Sequence, residues 1–369
     1  MNNLVLYRKY RPQDFSEIIG QTHIVQTLVN SVNSNSISHA YLFSGPRGSG
    51  KTTMARIFAK AVNCEGKSIN KPCNKCDSCL EITGFNSMDL IEIDAASHTG
   101  VDDIRDLISG IKFAPIKSKY KIFIIDECHQ LSKSAANALL KTLEEPPSHA
   151  IFILATTESH KMIPTIISRC QRFDFKRLFV PEIIKKLEFI VKKEGIKFED
   201  SALALIALNG RGSFRDAESL LEKCIHFSGK NKIVTAGEIK ELLGIVEVLQ
   251  ISKLVDFIVN KNTQEGILHI NSLIDSGVDL GEFTKTLIFY LRQSLLLKIN
   301  PELLHPQTSG LSTEELSVMK EQIRKVNEKE IQKMLELFIE AENKMKYSSI
   351  LQLPLELAII EITYNKPAL

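Results

Sequence analysis

At 369 residues, 44% hydrophobic and 24% charged, the chain is long enough for two or three domains. A formal net charge of +2 excludes any global electrostatic argument for a nucleic-acid or membrane partner. No apolar run approaches the roughly 20 residues of a membrane span. The start, MNNLVLYRKYRPQDF, lacks the apolar stretch of a secretory signal. A cytosolic protein with reduced thiols is therefore expected, so clustered cysteines read as metal ligands or redox groups.

Residues 1–60 hold seven Lys/Arg against two Asp/Glu, a local excess that favours a polyanion such as nucleotide phosphate. Ile24, Val25, Leu28, Val29 and Val32 fall on one face of a predicted helix. From Ala40 to about Phe175, short apolar runs alternate with helical patterns. AYLFSG, DLIEIDA, YKIFIIDE, AIFILATT and QRFDF read as strands; KTTMARIFAKAV, VDDIRDLISGI and SAANALLKTLEE read as helices. Pro146 and Pro147 stop the last helix. This alternation predicts an α/β core with a parallel sheet covered on both faces.

GPRGSGKT, Gly45 to Thr52, fits the eight-residue P-loop pattern between a predicted strand and helix. Gly45, Pro46, Arg47, Gly48, Ser49 and Gly50 would wrap phosphates with backbone amides, aided by the helix N-terminus. Lys51 would reach the β- and γ-phosphates, Thr52 would ligate magnesium, and Thr53 follows in the first helical turn. Asp126 ends an apolar strand 75 residues after Lys51, where a second magnesium ligand is needed. Glu127 beside it is placed to orient and polarise the attacking water. His129 is expected to pack or cap rather than to do chemistry. Thr157 ends the next apolar strand and could face the γ-phosphate. Arg169 follows a short helix and could project to a neighbouring subunit, whereas Arg215 could fold back onto the phosphates.

Cys64, Cys73, Cys76 and Cys79 interrupt this core in the spacing C-x8-C-x2-C-x2-C. A ferredoxin-type iron–sulfur run needs a cysteine at position 83, which is Thr83. A thioredoxin-like pair would leave two thiols without a role. Tetrahedral zinc held by four thiolates fits best. With no open coordination position, the metal would be structural, closing a loop inserted on the surface of the core.

After residue 178 no strand pattern remains. Residues 178–242 read as a small helical bundle and 243–369 as a second helical domain, following a core at 1–177. The last apolar helix, LPLELAIIEITY, is suited to packing inside its own domain or between subunits.

YRKYRPQDFSEIIGQ, HAYLFSGPRGSGKTT, the four cysteines, IEIDAASHTGVDDIRDL, IFIIDECHQLS, NALLKTLEEPP, ILATTE, PTIISRCQRFDFK and GSFRDAESLLEKC together resemble the gamma/tau subunits of bacterial DNA polymerase III. Those subunits are ATPase motors of sliding-clamp loaders. The resemblance runs almost continuously over residues 5–242 and more weakly beyond. It implies an AAA+ core with an inserted zinc module, a helical lid and a helical collar for oligomerisation.

It also implies ATP with magnesium, zinc at the cysteines, and roles for particular residues. Arg11, Pro12, Ile18 and Ile19 would cover the adenine. Thr157 would be the first sensor, Arg169 the arginine finger acting in trans, and Arg215 the second sensor. The implied partners are delta- and delta-prime-type subunits in a hetero-pentamer, the sliding clamp and primer-template DNA, in the cytoplasm at the replisome. His98, Thr99 and Gly100 stand where the family often has basic residues near DNA. In the family an extended form carries further C-terminal domains that contact helicase and polymerase; this chain stops after the collar-like region, so those contacts are expected to be absent. The rival readings are a non-hydrolysing architectural subunit of the same assembly and a Holliday-junction-type helicase motor. The latter would need a C-terminal winged helix, where only helical patterns occur.

Overall fold

The computed structural model describes residues 4–66, 71–97, 109–111, 113–228, 233–242, 248–300 and 313–364. Two compact units divide the chain, Met1–Val234 and Thr235–Leu369.

The first unit is built on five strands: β1 (Ala40–Ser44), β2 (Leu90–Asp94), β3 (Lys121–Asp126), β4 (Ala150–Thr156) and β5 (Gln171–Asp174). Their order is β2-β3-β4-β1-β5, and every neighbouring pair is parallel. The central strands β1 and β4 are buried at every position, while the edge strands are open to water: β2 exposes Glu92 and Asp94, and β5 buries only Phe173. This is the pattern a doubly covered sheet imposes, since only its edges meet water.

Period-two alternation sends neighbouring side chains to opposite layers. Tyr41, Phe43, Ile122, Ile124, Ile151 and Ile153 pack under the helices Thr22–Asn33 and Lys51–Val62, through Ile24, Leu28, Met54 and Phe58. Leu42, Phe123, Ile125, Phe152 and Leu154 pack on the other face against Leu139 and Leu143 of the helix Lys133–Glu144. Val25, Val29 and Val32 complete the first layer, as their helical spacing predicts.

Of the expected helix 101–111 only 109–111 are described, and they are helical. His98, Thr99 and Gly100 lie outside the described residues. One helix that sequence reading passed over, Asp77–Thr83, carries Cys79 and follows the other three cysteines. Beyond β5 the unit continues with helices Val180–Glu194, Asp200–Asn209 and Phe214–Ser228.

The described part of the second unit is helical: Ala236–Leu242, Val248–Val259, Thr263–Asp275, Leu280–Ile299, Thr313–Arg324, Glu328–Met345 and Leu353–Tyr364. Phe283, Phe338, Leu287 and Leu355 are fully buried in its core. A buried polar chain is satisfied inside it. Tyr290 donates to Gln322 Oε1 at 2.7 Å, and Gln322 Nε2 donates to the Ser252 carbonyl and hydroxyl at 2.9 Å each. The last helix is apolar on both sides, burying Leu355, Ala358 and Ile359 while exposing Leu357 and Tyr364. No described helix is long and apolar enough to cross a membrane.

Candidate nucleotide site

Parallel strands deliver their carboxyl ends to one edge, where ligand sites of such sheets form. Ser44 pairs with Thr156 and Asp94 with Asp126, so the loops after β1, β3 and β4 emerge side by side. The loop after β1 turns through Gly48, at φ 73°, and Gly50, at φ 96°. A Cβ at Gly48 would collide with Ser213 Oγ, so only glycine permits that approach, whereas the Cβ direction at Gly50 is open. Gly50 then caps the helix Lys51–Val62, whose free N–H groups face the loop.

Lys51 donates from Nζ to the carbonyls of Gly45 and Pro46 at 2.8 and 2.9 Å. Burial lowers its pKa, while Glu127 and Asp126 pull it back up. The Thr52 hydroxyl donates to Asp126 Oδ2 at 2.6 Å. A hydroxyl and a carboxylate so close form a hard-oxygen pair suited to magnesium. Glu127 turns out of the strand with a left-handed backbone, φ 46° and ψ 41°. Its Oε2 accepts from the Thr157 hydroxyl at 2.8 Å and the Thr157 N–H at 3.2 Å. Thr157 thus grips Glu127 and is not among the residues that line the cavity. His129 is nearly buried, pairs with the Thr156 hydroxyl at 3.0 Å and lies 3.5 Å from Glu127 Oε2.

These groups border a cavity of about 810 Å³, within the range of small-ligand sites. Arg47 to Thr53, Asp126 and Glu127 line it together with Arg11, Pro12, Ile18, Ile19 and Arg215. The cavity gathers cations: Arg8, Arg11 and Arg56 also line it, and their mutual repulsion adds to the burial that lowers Arg11. Arg215 lies over the Tyr7 ring, 5.0 Å from its centroid. Such a concentration of positive charge calls for a polyanion. Arg169 is elsewhere: it donates to Glu144 Oε1 at 2.6 Å and to the Thr165 carbonyl at 2.8 Å, outside this cavity.

Sequence reading missed Tyr7, Arg56, Lys186 and Glu218, all of which line the cavity. Glu218 is 5% exposed, and burial raises its carboxyl to about 7 despite Lys186 and Arg11 nearby. Its only signal in sequence is its position one turn after Arg215 on the same helix.

The four cysteines also converge, with all Sγ atoms within 4.8 Å of one another. Zinc–thiolate bonds near 2.3 Å call for such a cluster. Backbone N–H groups of Gly66 and Cys73 point at Cys64 Sγ, and that of Cys76 at Cys73 Sγ, at 3.3–3.4 Å. Those bonds favour thiolate, and Cys73 is lowered to about 6 by the backbone around it. The donor set fits a zinc ion.

Sheet order, glycine loop and strand-ending carboxylates define a P-loop nucleoside-triphosphatase core of the AAA+ type. Residues 20–179 match the family described as DNA polymerase III, delta subunit, and 182–230 the clamp loader subunit's ATPase lid domain. Residues 234–368 match domain III of DNA polymerase III subunits gamma and tau. The chain belongs to the gamma/tau family of DNA polymerase III subunits.

It is 44% identical over 362 residues to the tau subunit of Bacillus subtilis (strain 168), covering 98% of this chain and 63% of that one. It is 38% identical over 356 residues to the gamma subunit of Buchnera aphidicola subsp. Schizaphis graminum, covering 95% and 98%. Against longer tau relatives it therefore spans less than two thirds of their length. A solved structure, the Thermotoga maritima RuvB Holliday junction branch migration motor, aligns with TM-score 0.49 and 18% identity over 68% of this chain and 79% of that one. At that score the likeness says nothing about function.

Proposed function

We propose that this chain is an ATP-hydrolysing motor subunit of a DNA polymerase III clamp loader, which loads the sliding clamp onto primed DNA. Family membership supports the assembly, and one observation supports hydrolysis. Glu127 directly follows Asp126 of the Thr52–Asp126 pair and lines the same cation-rich cavity as the P-loop. A scaffold that only bound nucleotide would need the loop and the cations but not that carboxylate.

On this reading Lys51 leaves the loop carbonyls for the β- and γ-phosphates, and Arg215 approaches from the helix Phe214–Ser228. Magnesium, held by Thr52 and Asp126, would offset phosphate charge when bound. Glu127 accepts a proton from water as its oxygen bonds to the γ-phosphorus and the bond to the β-phosphate oxygen breaks. Arg169 serves the site of a neighbouring subunit. Arg11, Pro12, Ile18 and Ile19 cover the base. Zinc at Cys64, Cys73, Cys76 and Cys79 closes its loop.

The chain then comprises a core at 1–177, a lid at 178–242 and a collar at 243–369. It would work with delta- and delta-prime-type subunits in a hetero-pentamer, in the cytoplasm at the replisome.

ATP turnover with clamp and primed DNA tests this. The parent chain should hydrolyse ATP faster with both present, and Lys51→Ala should lose productive ATP binding. A parent that binds ATP without turnover in the assembled complex would instead make it an architectural subunit.

A further inference from the structure

The spacing of the cysteines suggests a metal clip on a loop inserted at the surface of the core. The helix Asp77–Thr83 that carries Cys79 reaches the cavity with its C-terminal end, and Ile82, Thr83 and Phe85 form part of the cavity wall. Phe85, a bulky residue at φ 60°, lies under the Arg56 guanidinium with 4.2 Å to the ring centroid. Arg56 is fixed in turn by Glu92 at 2.6 Å.

Side-chain contacts then cross from this module to the N-terminal segment that forms another wall. Asn74 Nδ2 donates to Asp14 Oδ2 at 3.4 Å, and the Thr83 hydroxyl, which donates to the Cys79 carbonyl at 2.8 Å, also lies 3.5 Å from Gln13 Oε1. Lys60, buried on the P-loop helix, donates to the Gln13 carbonyl at 3.0 Å and to Gln13 Oε1 at 3.1 Å. Gln13 Nε2 passes the connection to the Arg11 carbonyl at 3.0 Å. Gln13 therefore has both ends of its amide engaged: the oxygen accepts from Lys60 and touches Thr83 of the module, and the nitrogen donates toward Arg11. Asp14 is similarly committed, capping Ser16 and Glu17 at 2.9 and 3.2 Å while it meets Asn74.

We propose that the cysteine module is a positioning element of the nucleotide site, which sets Arg11 and Pro12 against the bound nucleotide through Gln13 and Asp14. The inference rests on the nucleotide-binding reading above. A loop this short has no core of its own, so a metal at its four thiols is what would keep Asn74 and Thr83 in place. Releasing the metal frees the module and then the segment behind it. The phosphate cradle is closed by local backbone, Gly45 to Thr52, and does not depend on that segment. Loss should therefore fall on the base and ribose, not on the triphosphate.

Calorimetric titration of the full chain separates these. Magnesium-ATP and inorganic tripolyphosphate are each titrated into zinc-loaded protein, into protein stripped with an organomercurial and chelator, and into zinc-loaded Gln13→Ala, Thr83→Val and Thr83→Ser. A hydrogen bond lost from such a chain of contacts commonly costs about 2–10-fold in affinity. ATP affinity should fall by about that factor in stripped protein and in Gln13→Ala, less in Thr83→Val, with Thr83→Ser close to the parent. Tripolyphosphate affinity should stay within about twofold throughout. Equal loss of both ligands, or unchanged ATP affinity in stripped protein and Gln13→Ala, overturns the proposal. If stripping unfolds the chain, the zinc-loaded variants decide alone. A zinc-loaded parent that binds neither ligand would overturn the nucleotide reading itself, a distinct result.

Discussion

Thr157 holds Glu127 by two bonds to a single carboxylate oxygen, hydroxyl and backbone N–H together. The left-handed turn at Glu127 brings the carboxylate back toward β4, and His129 stands 3.5 Å away on the same oxygen. An oxygen already accepting two hydrogen bonds is a poor proton acceptor for water. On the hydrolysis reading proposed above, the contact is a restraint on that oxygen that turnover would release.

Two substitutions separate restraint from chemistry. Glu127→Gln should retain ATP binding and lose about 10²–10⁴ in turnover, the usual weight of a general base. Thr157→Val removes the hydroxyl bond and should raise basal turnover while reducing stimulation by clamp and DNA. Single-turnover rates with and without DNA measure both, and a parent-like rate in Glu127→Gln would remove it as the base.

Arg169 is held by Glu144 and the Thr165 carbonyl on the outside of its own domain, where it is one-third exposed. A bridge this accessible contributes about 0–1 kcal/mol, so Arg169→Ala should fold normally and bind ATP nearly as the parent does. As a finger acting on a neighbour it should lose about 10³–10⁵ in DNA-stimulated hydrolysis. Mixing it with Lys51→Ala subunits should restore part of that rate. Absence of complementation in any assembled complex would remove the trans role.

Elemental analysis should find one zinc per chain, displaced on thiol modification. Cys79 is fully buried and Cys64 nearly so, so serine at either should release zinc and disorder the loop at 64–79. Iron, or no metal, would reject the site.

Glu218 makes stability depend on pH. Its folded carboxyl sits at about 7 against an ordinary 4.5, so the folded chain holds the proton more tightly than the unfolded chain. Stability is then highest below the ordinary value and declines as pH rises through 7, by about 3 kcal/mol in all. Glu218→Gln should raise the melting temperature at pH 8 by clearly more than at pH 5. An equal gain at both would show that the carboxyl is already ionised across that range.

The sequence by itself determined the five strands, the glycine loop and the placement of Asp126 at a strand end. Each of these is written in a local period or a short spacing, and a buried parallel strand leaves few alternatives to a continuous apolar run. It also determined which four cysteines cluster, because their short spacing on one loop keeps them within reach of one another. Tertiary structure alone decided the rest. Thr157 is read from sequence as a group that could face phosphate; that it also hydrogen-bonds Glu127 follows from β3 and β4 being neighbours in the sheet. Arg56 and Glu218 are ordinary helix charges until the P-loop helix and Phe214–Ser228 turn them into one cavity. Asn74 and Thr83 reach Asp14 and Gln13 across some 60 to 70 residues of chain. No periodic pattern encodes such a contact, because it depends on how two independently formed elements pack, and packing is fixed by the shape of the whole core.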